Sequence, residues 1–216
     1  MANESQGERL TLVAMKGHPG SGKSTVAQFL SRSLKWPLLD KDDVRDSTLP
    51  IQNLIQSSSS SLLNELSYTV IWRIAETQLK AGISAIVDCP LSRPHLFHAA
   101  AAVAARCGAR LLVVECRAAD WEEWKRRLED RGVESPSWHK PSSWHALQNL
   151  LEGYGGCFDY DTPAAKKLVV DTTAHLRKEL ILHAVLDWVT HGDGDGDGNG
   201  DAVTFFPRIE ENATTG

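Results

Sequence analysis

The chain has 216 residues with 23 Lys and Arg against 28 Asp and Glu, a net charge of -5 and a pI near 5.9. That balance excludes a broad nucleic-acid-coating surface, which needs a basic excess, and leaves only a local cationic pocket for a polymer end. The length suits one ordinary domain, with or without tails.

Residues 1–9 are polar and acidic, unlike a secretory or transit leader, and are expected to be a flexible N-terminus. No run approaches the ~18 apolar residues that cross a bilayer. Cys89, Cys107, Cys116 and Cys157 show neither C-x-x-C pairing nor a histidine at finger-like spacing, so reduced, packed thiols are expected rather than a zinc site or a disulfide frame. These features predict a soluble, cytoplasmic protein without membrane contact.

The first element is an apolar strand, Leu10 to Lys16, that breaks into Gly17-His18-Pro19-Gly20-Ser21-Gly22-Lys23-Ser24-Thr25 and then into a helical pattern from Val26 to Leu34. This is G-x-x-x-x-G-K-S between a strand and a helix, the context in which the motif cradles phosphate. Glycines let successive N–H groups turn inward, and the helix adds its positive end. Lys23 then reaches the β- and γ-phosphates. Ser24 offers a hydroxyl to Mg2+, which keeps most of its waters and needs few protein oxygens. Residues 17–25 are therefore the expected nucleotide-binding set.

Trp36 to Leu39 forms a short second strand that exits into Asp40-Lys41-Asp42-Asp43-Val44-Arg45. Residues 46–61, with Pro50 and the serines 57–61, are expected to be a mobile loop. A long helix follows from Leu62 to Lys80, then a strand from Ile83 to Val87 with Asp88 at its end, and a helix from Pro94 to Arg106. Arg110 to Cys116 is the fourth strand. Ala119 to Arg131 is a basic helix closed by Gly132, and a loop over 132–143 leads to a helix from Trp144 to Glu152 capped by Ser143. Lys167 to Val170 is the last strand and Ala174 to Thr190 the closing helix. Five strands alternating with helices predict an α/β fold with a parallel sheet and helices on both faces.

Residues 191–216 form a Gly/Asp-rich tail, expected to be disordered. Asp193 to Gly198 imitates the start of a calcium loop, but Thr204 stands where a bidentate Glu is required.

Ligands of open parallel sheets bind beyond the carboxyl ends of the strands, where the phosphate loop, Asp40 to Arg45, Asp88 and the basic helix all fall. Phosphoryl transfer needs a positioned hydroxyl, a proton acceptor and cations around the moving group. Asp42, or alternatively Asp40, suits the acceptor of the proton, and Arg45 suits a contact to the substrate. Arg127 and Arg131 are four apart, on one helical face, and fit a lid over about residues 118–143. Asp88 is a candidate for the metal, with Ser24, or for the substrate.

At these residues the chain resembles the small P-loop kinases, in particular the zeta-toxin-like and polynucleotide 5'-hydroxyl kinase branch. The resemblance rests on residues 17–24, on Asp42-Asp43-Val44-Arg45 and on Arg127-x-x-x-Arg131, across about residues 10–190. It implies a P-loop NTPase three-layer sandwich with strand order 2-3-1-4-5, ATP with Mg2+, Asp42 as the base and Arg45 as the acceptor-binding group. The expected activity is ATP-dependent transfer of the γ-phosphoryl group to a small-molecule hydroxyl such as a nucleoside or sugar. The alternatives are a kinase for nucleic-acid 5' ends and a non-catalytic nucleotide-dependent binding module.

Overall fold

The computed structural model describes residues 9–54, 60–134, 138–163, 165–191 and 203–205. Strand β1 (Thr11–Lys16) lies at the centre of an all-parallel sheet whose order is β2-β3-β1-β4-β5-β6. The other strands are β2 (Leu38–Asp40), β3 (Ala85–Asp88), β4 (Arg110–Arg117), β5 (Lys166–Asp171) and β6 (Val203–Phe205). The first five reproduce the expected order.

Alternation along each strand builds two cores. Leu12 and Ala14 of β1, with Val87 and Val113, face one side and are covered by α4 (Ser60–Lys80) and α5 (Pro94–Arg106). Val13 and Met15, with Ile86 and Val114, face the other, under α1 (Lys23–Leu34) and α8 (Lys178–His191). All four of these β1 side chains have 0% exposure, as expected for a strand covered on both faces. Burying each such side chain contributes about 1.5–3 kcal/mol, which makes the sheet a rigid platform for the loops at its carboxyl edge.

The stretch expected to be a loop over 46–61 is largely helical. Helix α2 (Lys41–Ser47) ends at Thr48, and α3 (Leu49–Leu54) follows. The reason is tertiary and local at once. Asp40 caps α2 by accepting from Asp42 N at 2.8 Å, the Thr48 carbonyl accepts from Gln52 N at 2.9 Å, and Pro50 occupies the first turn of α3, where its missing N–H costs nothing. Part of the serine run, residues 57–59, lies outside the described residues, and Ser60 already belongs to α4.

Helix α6 (Trp121–Glu134) runs past Gly132, which does not stop it. Gly132 is instead a close approach, since a Cβ there would meet the Ser142 carbonyl oxygen at 2.5 Å. Ser143 caps α7 (Trp144–Tyr154) as expected, accepting from Ala146 N at 3.2 Å. Strand β6 falls inside the segment expected to be a disordered tail and pairs with β5. The calcium-like run at 193–198, Phe206 and the first eight residues lie outside the described residues.

Candidate active site

The phosphate loop owes its shape to β1 and α1. Gly17 has φ of +149°, and a Cβ there would meet the Cys116 carbonyl oxygen at 2.5 Å and Ser21 Oγ at 2.6 Å, so only glycine fits between the strand ends. Gly20 has φ of +79° and lies against the Trp124 indole, with an added Cβ 3.0 Å from Nε1. The turn therefore presents backbone rather than side chains to whatever enters it.

Lys23 folds over its own loop and donates to the His18 carbonyl at 2.8 Å. Burial lowers its pKa, opposed chiefly by Asp88. Asp88 is 4% exposed at the end of β3. Burial raises its pKa, while Lys23 and a hydrogen bond from the Ser24 side chain pull it down. A buried carboxylate touching a hydroxyl at the mouth of the loop is the donor set a hard cation takes, with the rest of its shell left to water and phosphate. Among the described residues no cluster of three or more His, Cys, Asp or Glu could hold a metal alone.

A cavity of about 810 Å³ runs along this edge, with Pro19, Gly20, Gly22, Lys23, Ser24 and Thr25 in the middle of its wall. Towards β5 and α8 it is walled by Thr172, Ala174, Leu176 and Lys178. Towards β2 and β3 it is walled by Lys41, Asp42, Tyr68, Arg93, Lys140 and Tyr154. The loop thus lies between a β5–α8 side and a second, β2–β3 side.

Asp42 lines the second side. Lys41 Nζ lies 2.9 Å and Lys140 Nζ 2.8 Å from its two carboxylate oxygens. Burial alone would raise its pKa, but the two ammonium groups outweigh burial and hold it down to about 2. Asp40 is not in the cavity wall. Burial and the neighbouring Asp88, its partner in the β2–β3 register, push it up to about 6. Arg45 is 2% exposed and also lies outside the wall. Its guanidinium donates to Thr48 Oγ1 at 2.6 Å and Gln52 Oε1 at 3.1 Å and stacks 4.2 Å from the centre of Trp138. Here it braces α2 against α3.

The basic helix supplies Arg126, Arg127 and Arg131 to the wall. Arg127 pairs with Glu123 at 2.6 Å and donates to the Thr172 carbonyl at 3.1 Å. Arg131 donates to the Pro141 carbonyl at 3.0 Å, while Arg126 is taken up on the surface by Glu123 and Asp130. The helix is fastened to the loop itself, because Trp124 Nε1 donates to the Pro19 carbonyl at 2.8 Å.

Two members of the expected nucleotide set turn their side chains away from the cavity. The His18 ring stacks on Phe158 at 3.7 Å, and burial, with Lys23 and Lys16 nearby, pushes its pKa down to about 4. Ser21 is 1% exposed, and its carbonyl accepts from Thr172 Oγ1 at 2.9 Å. Both contribute backbone to the turn.

The AAA domain family matches residues 12–152 of the chain. The chain belongs to this family. No curated protein matches it in sequence. Among solved structures, a Chloroflexus aurantiacus j-10-fl protein superimposes at a TM-score of 0.67 with 20% identity over 85% of this chain and 95% of that one. The shikimate kinase of Acinetobacter baumannii, solved with shikimate, gives 0.58 at 16% identity over 86% and 96%. The APS kinase of Mycobacterium tuberculosis, solved with AMPPNP and APS, gives 0.54 at 19% identity over 84% and 98%. At these identities the likeness is one of fold, and that fold is the P-loop NTPase sandwich with strand order 2-3-1-4-5.

Sequence reasoning missed Thr172, Arg93 and Lys140. Thr172 stands at the exit of β5, so the rule that ligands gather at carboxyl ends of strands contained a signal for it. Arg93 follows β3 by only a few residues and carried the same signal. Lys140 had none, because its role depends on how the segment after α6 folds back.

Proposed function

We propose that this AAA-family protein is an ATP-dependent kinase that moves the γ-phosphoryl group of ATP to the hydroxyl of a small molecule. The observation that carries the reading is the placement of Lys23, the Ser24–Asp88 pair and Asp42 along one cavity wall. A site that only bound nucleotide would not need an ionised carboxylate on the side away from the nucleotide.

ATP would lie with its phosphates in the turn of residues 17–25 and its base towards Thr172 to Lys178. Mg2+ would be held by Ser24 and Asp88 and would draw charge from the phosphate oxygens. Lys23 would leave the His18 carbonyl for the phosphates, and Arg127 and Arg131 would spread positive charge around the transferring group. The hydroxyl oxygen of the acceptor forms the new bond to Pγ as the bond from Pγ to the departing ADP oxygen breaks, and the hydroxyl proton passes to a carboxylate.

Asp42 is the better placed carboxylate. A group held near pKa 2 is a weak base, yet in a loose transition state the proton leaves late, and an acid that is always ionised at neutral pH holds the hydroxyl in line by accepting its hydrogen bond. Asp40, near 6, is better tuned but sits behind the cavity wall, capping α2. Placement in the 5'-hydroxyl kinase branch rests on Asp42-Asp43-Val44-Arg45, and the engagement of Arg45 with Thr48 and Gln52 weighs against its contacting an acceptor. The test is ADP formation across a metabolite library, with Lys23→Ala as the control; no acceptor-stimulated ADP release from any compound, with ATP still bound, would leave a binding module instead.

A further inference from the structure

The chain has three tyrosines, and two of them are satisfied. Tyr160 donates its hydroxyl to the Leu91 carbonyl at 2.6 Å, and Tyr154 bonds to the Ser92 side chain. Tyr68, in the body of α4, is 6% exposed, yet among the described residues its hydroxyl has no hydrogen-bond partner. Nor is that hydroxyl sealed in: it is not one of the buried polar atoms cut off from solvent, and Tyr68 lines the cavity. Buried phenols ordinarily find a partner, because an unmade bond leaves the desolvation of the hydroxyl uncompensated.

Its neighbours put this hydroxyl beside the chemistry. Asn64 lies one turn before Tyr68 on the same face of α4, and both line the cavity. Lys41 Nζ joins them to Asp42: it donates to Asn64 Oδ1 at 3.4 Å, lies 5.7 Å from the centre of the Tyr68 ring and is 2.9 Å from the Asp42 carboxylate. A small molecule whose hydroxyl rests on Asp42 therefore has Tyr68 within its own span. Burial pushes the Tyr68 pKa well above its ordinary value, so the group stays a neutral phenol that can donate to one oxygen and accept from another O–H. Lys41 and Lys140 are already engaged by Asp42. The buried group still without a partner on this wall is thus neutral, and a hydroxyl matches it, since each both donates and accepts.

We propose that the acceptor is polyhydroxylated, a sugar, a polyol or the ribose of a nucleoside, and that Tyr68 orients it by hydrogen-bonding a second hydroxyl while the first meets Asp42. This rests on the kinase reading above and narrows it. Tyr68 is then a specificity-determining residue. A compound lacking the second hydroxyl would cover the phenol without pairing it, and a site built to bond a substrate hydroxyl rejects the analogue without one far more strongly than an apolar pocket rejects a missing methylene.

The experiment deletes the hydroxyl from each side of the contact in turn. Glycerol, ribose, glucose and adenosine, each with its monodeoxy analogues, are assayed for ATP-dependent phosphorylation by the wild-type protein and by Tyr68→Phe, which keeps the ring and breaks no hydrogen bond within the protein. For a polyol that is phosphorylated, Tyr68→Phe should lower kcat/KM by about 30-fold with the KM for ATP little changed. One monodeoxy analogue should lose about as much on the wild-type protein, and the two losses should not add, because each removes the same bond. A Tyr68 that only shaped the wall would give additive losses. Additive losses, wild-type kinetics in Tyr68→Phe, or monodeoxy analogues that all react as well as their parent overturn the contact while the kinase reading stands. If none of these compounds is phosphorylated, calorimetry of the same set on the AMPPNP-loaded protein decides. Binding of a polyol with the same non-additive pattern upholds the Tyr68 contact and removes the kinase reading. Additive losses, or no binding of any polyol, overturn the contact.

Discussion

Trp124 of α6 donates its indole N–H to the carbonyl of Pro19 at 2.8 Å, so the helix that brings the arginines is tied to the turn that receives the phosphates. The same indole occupies the space a side chain at position 20 would need. Trp124→Phe keeps most of the ring and removes the bond. ATP affinity measured by calorimetry should fall about five- to tenfold, in line with about 1–1.5 kcal/mol for one buried hydrogen bond. Wild-type affinity in this variant would show that the bond does not couple the helix to the turn.

Asp42 and Lys23 separate binding from chemistry. Lys23→Ala should abolish measurable turnover. Asp42→Asn should lower kcat by about 100-fold or more, the usual range for a lost proton acceptor, while the dissociation constant of ATP stays within about threefold. Steady-state kinetics and equilibrium binding on the same preparations check both halves. An Asp42→Asn protein with full turnover removes the role assigned to it, and Asp40→Asn is then the variant to measure.

Lys16 and Glu115 are register partners on β1 and β4, 3.0 Å apart and each about 1% exposed. Lys16 also lies 3.6 Å from the centre of the Phe158 ring, and Arg117 bonds the other Glu115 oxygen at 2.7 Å. Removing one partner leaves a charge without compensation behind the phosphate loop. Glu115→Ala should cost about 3–5 kcal/mol by chemical denaturation, whereas the pair Lys16→Met with Glu115→Leu should cost much less. Equal losses in the single and double variants would show that packing, not charge, sets the effect.

His18 makes stability depend on acid in a defined window. Its pKa is about 4 in the folded protein against an ordinary value of 6.5, because burial and the nearby Lys23 and Lys16 disfavour the proton. Between those values the unfolded chain holds a proton that the folded chain refuses, so stability falls as pH drops from 6.5 to 4 and levels below. The contribution is of order 3 kcal/mol across the window. His18→Phe, which retains a ring to stack on Phe158, should flatten that part of the stability profile. A slope identical to wild type between pH 4 and 6.5 would show that His18 does not produce it.

The cysteines should divide in two. Burial pushes the thiols of Cys89 and Cys116 up to about 12, whereas Cys107 and Cys157 are partly exposed. Since the thiolate is the reactive form, alkylation of the native protein at pH 8 followed by mass spectrometry should label the second pair and spare the first until denaturant is added.

The amino-acid sequence alone determined the turn at residues 17–25, the parallel α/β alternation and the position of Asp88. Each of these depends on chemistry that is local along the chain: glycine conformations, runs of apolar residues and the exit of a strand. The helices at 41–54 escaped it because their caps use Asp40 and Thr48 in a polar stretch that composition reads as a loop. What surrounds Asp42 was decided only by the tertiary structure, since Lys140 arrives from the far end of the α6 segment and Arg45 turns to Thr48 and Gln52. Electrostatic neighbourhoods form between residues distant in the chain, at separations of a few ångströms, and no spacing rule within one strand or helix specifies them.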